Sequence, residues 1–201
     1  MAVLDLSRYT YSALIFDCDG TLVNSAPFHF RALREALRTQ GFDISEDWYM
    51  QRLGLSRSAL FLNFESSFGV KLNIPAAEAM DEKVYASIAH DVKEIPLIAS
   101  IAREHYGRVP MAVASGGQRP LVSKALEAAG LIDLFDHLVT FSDVGQGKPS
   151  PALFLEAARR LGQKPQQCLV FDDTDEGMEA AHRARMPAID VRDYLDGADR
   201  S

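Results

Sequence analysis

The chain is 201 residues long, with 47% hydrophobic and 24% charged side chains and a formal net charge of −7. That length accommodates one domain, or one domain carrying a smaller insert, with enough core to need no staples. The acidic balance argues against a nucleic-acid or anionic-lipid surface, the 2 cysteines make no disulfide framework, and no apolar run approaches the roughly 20 residues that span a bilayer.

The N-terminal residues lack a basic segment followed by an apolar core, so no secretory signal is expected and a reducing, cytoplasmic setting fits. The first clear element is the apolar run Ala13-Leu14-Ile15-Phe16, which ends abruptly in Asp17-Cys18-Asp19-Gly20-Thr21. A short apolar stretch closed by Asp and Gly reads as a buried parallel strand feeding a polar loop. From 24 to 93 the pattern turns helical, over 28–37, 45–68 and 75–90, with Trp48, Tyr49, Phe61 and Phe64 as candidate core of that region. Strand patterns resume at Val109–Ala114, Leu138–Phe141, Cys168–Phe171 and Pro187–Val191. Helical patterns lie between them: 121–129, stopped by Gly130; a stretch opened by a Ser150 N-cap and Pro151 and running to Gly162; and 176–185. The tail from Asp193 to Ser201 is polar and expected to fray. Alternation of strands and helices predicts an α/β fold, a Rossmann-like parallel sheet with an inserted helical cap. The expected division is an α/β core of 1–23 and 94–201, and a cap of 24–93.

Ligands of open parallel sheets bind at the carboxyl ends of the strands. Those ends carry Asp17, Asp19, Gly20 and Thr21; Ser115, Gly116 and Gly117; Lys148 on a following loop; and Asp172 with Asp173. Carboxylates converging on one crevice repel unless a cation sits among them, and oxygen-rich sites of this kind suit Mg²⁺. A carboxylate is also a nucleophile that needs no base, and its acyl phosphate is hydrolysed in a second step. A separate acid/base must then serve the leaving alkoxide and the water, and Asp19 is the natural candidate. Thr21, Ser115 and the glycine-loop amides can hydrogen-bond the transferring oxygens, while Lys148 offsets charge. Cys18 reads as a small buried hydrophobe facing away from the site.

These residues resemble the four motifs of the haloacid dehalogenase superfamily of phosphohydrolases: Asp17-Cys18-Asp19-Gly20-Thr21, then Ser115, then Gly147-Lys148-Pro149, then Phe171-Asp172-Asp173 followed by Gly177. All occur in the family's order, and the helical insert is similar to the cap of its β-phosphoglucomutase-like branch. The resemblance implies a phosphoric monoester hydrolase with Asp17 as nucleophile, Asp19 as acid/base, and Mg²⁺ held by Asp17, Asp19 (through its carbonyl), Asp172 and Asp173. It also places His29 and the cap segment Gly54-Leu55-Ser56-Arg57 near substrate, with Lys83 as a looser match.

The mutases of that branch carry basic residues where this chain has Leu53 and Gln118. The chain looks closer to the phosphatases near fructose-1-phosphatase, so the expected activity is Mg²⁺-dependent hydrolysis of small sugar phosphates through an aspartyl-phosphate. The alternative is a β-phosphoglucomutase-type transfer. The expected partner is a small phosphorylated metabolite, with no nucleic acid and no membrane, acting on a monomer or weak homodimer. A receiver module would place its acidic pair before the phospho-acceptor, and a dinucleotide site would need G-x-G-x-x-G after the first strand. Neither pattern is present.

Overall fold

The computed structural model of the protein describes residues 4–53 and 55–195. In chain order its elements begin with β1 (Ala13–Phe16), β2 (Val23–Asn24), α1 (Ala26–Arg38), α2 (Glu46–Met50), α3 (Arg57–Phe68) and α4 (Ile74–Ile88). They continue with β3 (Lys93–Glu94), α5 (Pro96–His105), β4 (Met111–Ser115), α6 (Arg119–Ala128), β5 (His137–Thr140) and the single turn α7 (Phe141–Val144). Last come α8 (Ala152–Arg160), β6 (Cys168–Asp172), α9 (Asp175–Arg183) and β7 (Ala188–Asp190).

Five strands form a parallel sheet in the order β5-β4-β1-β6-β7. The chain runs outward from β1 through β4 and β5, then returns to β6 on the other side. The order therefore switches between β1 and β6, and a crevice opens at their carboxyl ends. Alternate residues of β1 serve opposite faces, as a period of two requires. Leu14 and Phe16 join a cluster with Ile98, Ala102, Val122 and Leu126 from α5 and α6, whereas Ala13 and Ile15 join Leu153, Phe154, Ala180 and Ala181 from α8 and α9. Both faces of the sheet are thus covered. That is why its strands read as continuous apolar runs.

The helices between Ala26 and Ile88 have an apolar core of their own, built from Leu33, Leu37, Tyr49, Phe61 and Phe64, with Trp48 packed at its margin. A small third contact of Ala32, Tyr85 and Ala89, with Phe28 and Leu121 against it, seats this layer on α6. Its helix starts follow local chemistry. The Ser45 side chain accepts from Trp48 N at 3.2 Å, Ser56 from Ala59 N at 3.3 Å, and Asn73 from Ala76 N at 3.2 Å.

Several expectations need correction. The expected 45–68 helix is two helices, because the Ser56 cap starts α3 afresh; Gly54, between them, lies outside the described residues. The strand expected at Val109–Ala114 begins at Met111, and Phe141 opens α7 rather than closing β5. α8 starts at Ala152, with Pro151 at the cap position rather than as the first helical residue; the Ser150 hydroxyl accepts from Ala152 N at 3.4 Å and donates to Gln146 Oε1 at 2.8 Å. α5 and the antiparallel β2–β3 ribbon were not among the expected elements. Of the tail expected to fray, 196–201 lies outside the described residues, and Asp193 closes a 3₁₀ turn.

Phe64 is 2% exposed and has Phe42, Trp48 and Phe68 around it with ring centroids within 5.8 Å. Phe64→Ala should cost about 3–5 kcal/mol of stability, measured as the shift of the urea unfolding midpoint.

Candidate active site

Asp17 directly follows β1, where its amide donates to Phe171 O at 2.9 Å and so extends the β1–β6 pairing. Its carboxylate is buried and accepts from the Lys148 ammonium, which also donates to Asp172 Oδ2 at 2.6 Å. Lys148 therefore joins the ends of β1 and β6. Its side chain is 10% exposed and lies over the Phe154 ring, 5.1 Å from the centroid. The Lys148–Pro149 peptide bond is cis.

The loop that brings Lys148 here is anchored at Asp143. That carboxylate accepts from Thr140 N at 2.7 Å, Thr140 Oγ1 at 2.9 Å, Arg119 at 2.6 Å and Arg160 at 2.9 Å. Burial works against its charge, but these bonds hold its carboxyl well below the usual range.

The four aspartates have different surroundings. Burial pushes Asp17 up; Lys148 opposes this, and the charges of Asp172, Asp173 and Asp19 add to it. Asp173 is pushed up to about 6 by burial and by Asp172, although Thr21 Oγ1 donates to it at 2.9 Å. Burial disfavours the Lys148 charge too, but Asp17 and Asp172 outweigh that and raise it. Asp19 accepts from Ser25 Oγ at 2.6 Å and faces His29 Nε2 at 3.2 Å. Burial opposes its charge, and the hydrogen bonds from His29 and Ser25, with the nearby positive charge of Arg57, lower it nonetheless.

Two glycines make this packing possible. Gly20 has φ +86° and a Cβ there would collide with the Asp173 carboxylate; at Gly177, a Cβ would collide with that of Asp172. Thr174 caps α9, accepting from Gly177 N at 2.9 Å, and donates its own hydroxyl to Asp172 at 2.7 Å.

In the expected metal set Asp17, Asp172 and Asp173 contribute carboxylates and Asp19 its backbone carbonyl, and all four residues lie at this crevice. Among the described residues no three His, Cys, Asp or Glu side chains are grouped to hold an ion. Asp172 is committed to Lys148 and Thr174, and the Asp19 carboxylate to Ser25 and His29. The set fits a hard cation that takes carboxylates and keeps water and substrate oxygens. Negative charge exceeds positive here, as the raised Asp17 and Asp173 carboxyls register, and an added cation would relieve it.

Ser115 ends β4 with its hydroxyl accepting from Gly117 N at 3.0 Å, and Gly116 beside it is open to solvent. His29 and Arg57 adjoin Asp19, but Arg57 is already engaged: Nε lies 2.5 Å from Asp81 Oδ2, and an Nη is 3.2 Å from His29 Nδ1. Lys83 is exposed on α4. Cys18 is fully buried in the core. Ser25, Thr174 and Asp81 were missed from the sequence. Ser25 precedes Ala26-Pro27 and reads as an N-cap, yet its hydroxyl serves Asp19 instead. Asp81 had a usable signal, since it lies four residues from both Ala77 and Tyr85 on the buried stripe of α4.

A family model described as haloacid dehalogenase-like hydrolase matches residues 11–185. The chain is 33% identical over 192 residues to the fructose-1-phosphate phosphatase YqaB of Escherichia coli K12, covering 90% of this chain and 97% of that protein. Its fold resembles the structure of CbbY from Rhodobacter sphaeroides with phosphate, at TM-score 0.79 and 23% identity over 89% of this chain and 84% of that one. It also resembles a β-phosphoglucomutase from Clostridium difficile, at TM-score 0.75 and 24% identity over 89% and 83%.

Lys148→Met leaves two buried carboxylates without their cation, which should cost about 3–5 kcal/mol near neutral pH. An acid with a raised folded pKa contributes stability that is present below its unfolded value and lost as pH rises through the folded one. In EDTA, the deficit of Lys148→Met relative to the unsubstituted chain should therefore widen as pH rises above the ordinary carboxylate range, read by urea unfolding.

Proposed function

This chain belongs to the haloacid dehalogenase-like hydrolases and is a phosphoric monoester hydrolase, and we propose that its substrates are small sugar phosphates of the fructose 1-phosphate class. The observation that carries the chemical reading is the pair Asp17 and Asp19, two residues apart in opposite surroundings: one buried against Lys148, the other hydrogen-bonded by Ser25 and His29. Two carboxylates differentiated by environment suit two roles.

In this reading an oxygen of Asp17 attacks phosphorus, the bond from phosphorus to the sugar oxygen breaks, and Asp19 delivers its proton to the leaving alkoxide. Water then attacks the aspartyl-phosphate, Asp19 accepts the water proton, and phosphate leaves. In the substrate-free site Asp19 is held in its ionised form, so the proton it delivers in the first step is taken up as the phosphate monoester binds, and the carboxylate left by that step is the form that accepts the water proton in the second. Lys148 offsets the charge of Asp17 and of the incoming phosphate, while Ser115 and the Gly116 and Gly117 amides border the transferring oxygens. Asp17, Asp172 and Asp173, with the Asp19 carbonyl, are the groups that would hold Mg²⁺, which would supply positive charge that keeps Asp17 ionised and offsets the phosphate.

The sugar phosphate reading is supported by the similarity to the Escherichia coli phosphatase and by the lack of charge at Leu53 and Gln118. The β-phosphoglucomutase likeness, at 24% identity, carries the fold alone.

The first test is phosphate release from a panel of hexose, pentose and polyol phosphates with Mg²⁺ and with EDTA. Mg²⁺-dependent release from sugar monophosphates is expected. Conversion of β-glucose 1-phosphate to the 6-phosphate without release would replace this reading with the mutase. Asp17→Asn should lower kcat by about 10,000-fold or more with the fold intact by circular dichroism, and substantial residual turnover would remove the nucleophile assignment. Asp19→Asn should lower kcat by about 100- to 10,000-fold, with phospho-Asp17 detectable by intact mass after rapid quench.

A further inference from the structure

The helical layer buries a carboxylate that the reaction scheme does not use. Asp81 on α4 is 1% exposed, and its only cationic contact among the described residues is Arg57 Nε, 2.5 Å from Oδ2. The approach is off-line for a hydrogen bond, so Oδ2 is otherwise unpartnered. A carboxylate in such a place is costly unless its charge has a fixed counterpart.

Arg57 extends the contact toward the site. One of its Nη groups lies 3.2 Å from His29 Nδ1, and His29 Nε2 lies 3.2 Å from Asp19 Oδ1. A guanidinium only donates, so Nδ1 must accept, and the ring proton of a neutral His29 then sits on Nε2, directed at Asp19. Four residues beyond Asp81, Tyr85 stacks on the imidazole with centroids 4.2 Å apart and planes 9° from parallel. The tautomer of His29 and the plane of its ring are therefore both set from α4.

We propose that Asp81 is a positioning residue: by anchoring Arg57 it fixes the Nε2–H tautomer of His29, which in turn holds and orients Asp19. The catalytic consequence rests on the hydrolase reading of Asp19 above, whereas the tautomer does not. Asp81 touches no reacting atom. Its removal should act on kcat through Asp19 and leave substrate affinity nearly unchanged.

The test uses the full chain labelled with ¹⁵N-histidine, with His29 assigned by its own His29→Gln variant, and Asp81→Leu, Asp81→Asn and Arg57→Lys compared. The unsubstituted chain should show a single Nε2–H tautomer at His29 without substrate. Asp81→Leu and Arg57→Lys should show a mixed or protonated ring, and Asp81→Asn, which keeps one acceptor, should fall between. On the best sugar phosphate of the panel, kcat should fall about 10- to 100-fold in the first two variants with KM within about twofold. A folded Asp81→Leu or Arg57→Lys chain that keeps the single Nε2–H tautomer overturns the proposal, as does a lost tautomer with unchanged kcat. If Asp81→Leu does not fold, Asp81→Asn, which removes the charge and keeps the shape, decides: an unchanged single Nε2–H tautomer in it overturns the proposal. If no substrate turns over in any form, the hydrolase reading fails while the spectra still decide whether Asp81 sets His29.

Discussion

The Lys148 ammonium between Asp17 and Asp172 is the interaction on which the site depends. Each carboxylate ends one of two adjacent parallel strands, and each is brought there by the pairing of β1 with β6. In a buried crevice such groups repel, and a single lysine satisfies both only if the loop carrying it is held rigidly. The four bonds converging on Asp143 hold that loop, and the Phe154 ring forms the floor under the ammonium. The remaining excess of negative charge holds the Asp17 and Asp173 carboxyls up, and an added cation would relieve it.

A second constraint is the separation of apolar cores. The sheet is covered on both faces by its own helices, while the layer from α1 to α4 packs around Phe61 and Phe64 and meets the rest through a small contact at Ala32, Tyr85 and Ala89. The junction is therefore more polar than either core, and its polar side chains are the ones beside Asp19. Tyr85 takes part in both, buried against Ala32 and stacked on His29. Packing of the helical layer and orientation of the His29 ring beside Asp19 therefore share one side chain.

Much of this was legible in the residues. Ala13–Phe16 and Cys168–Phe171 announce themselves because strands covered on both faces are apolar at every position. Asp17, Asp19, Asp172 and Asp173 follow such runs immediately, so their meeting at one edge follows from parallel order alone. Other features left no local trace. The β2–β3 ribbon has two residues per strand, too few for a period. The break between α2 and α3 depends on Ser56 acting as a cap, which a helical average over 45–68 conceals. Ser25 carries the signature of an N-cap and is used for something else, because Asp19 lies closer to its hydroxyl than the helix amides do.

By itself the sequence determined the strand order of chemistry: a nucleophile candidate and an acid/base candidate after the first strand, a hydroxyl after β4, a lysine after β5 and an acidic pair after β6. Those are consequences of residue type and of the rule that parallel strands present the same ends. Only the tertiary structure decided how the carboxylates divide their partners, with Asp172 taken by Lys148 and Thr174 and Asp19 by Ser25 and His29. It alone paired Arg57 with Asp81. The reason is that hydrogen-bond partners are chosen by distance and direction between side chains remote in sequence, and periodicity carries no information about either.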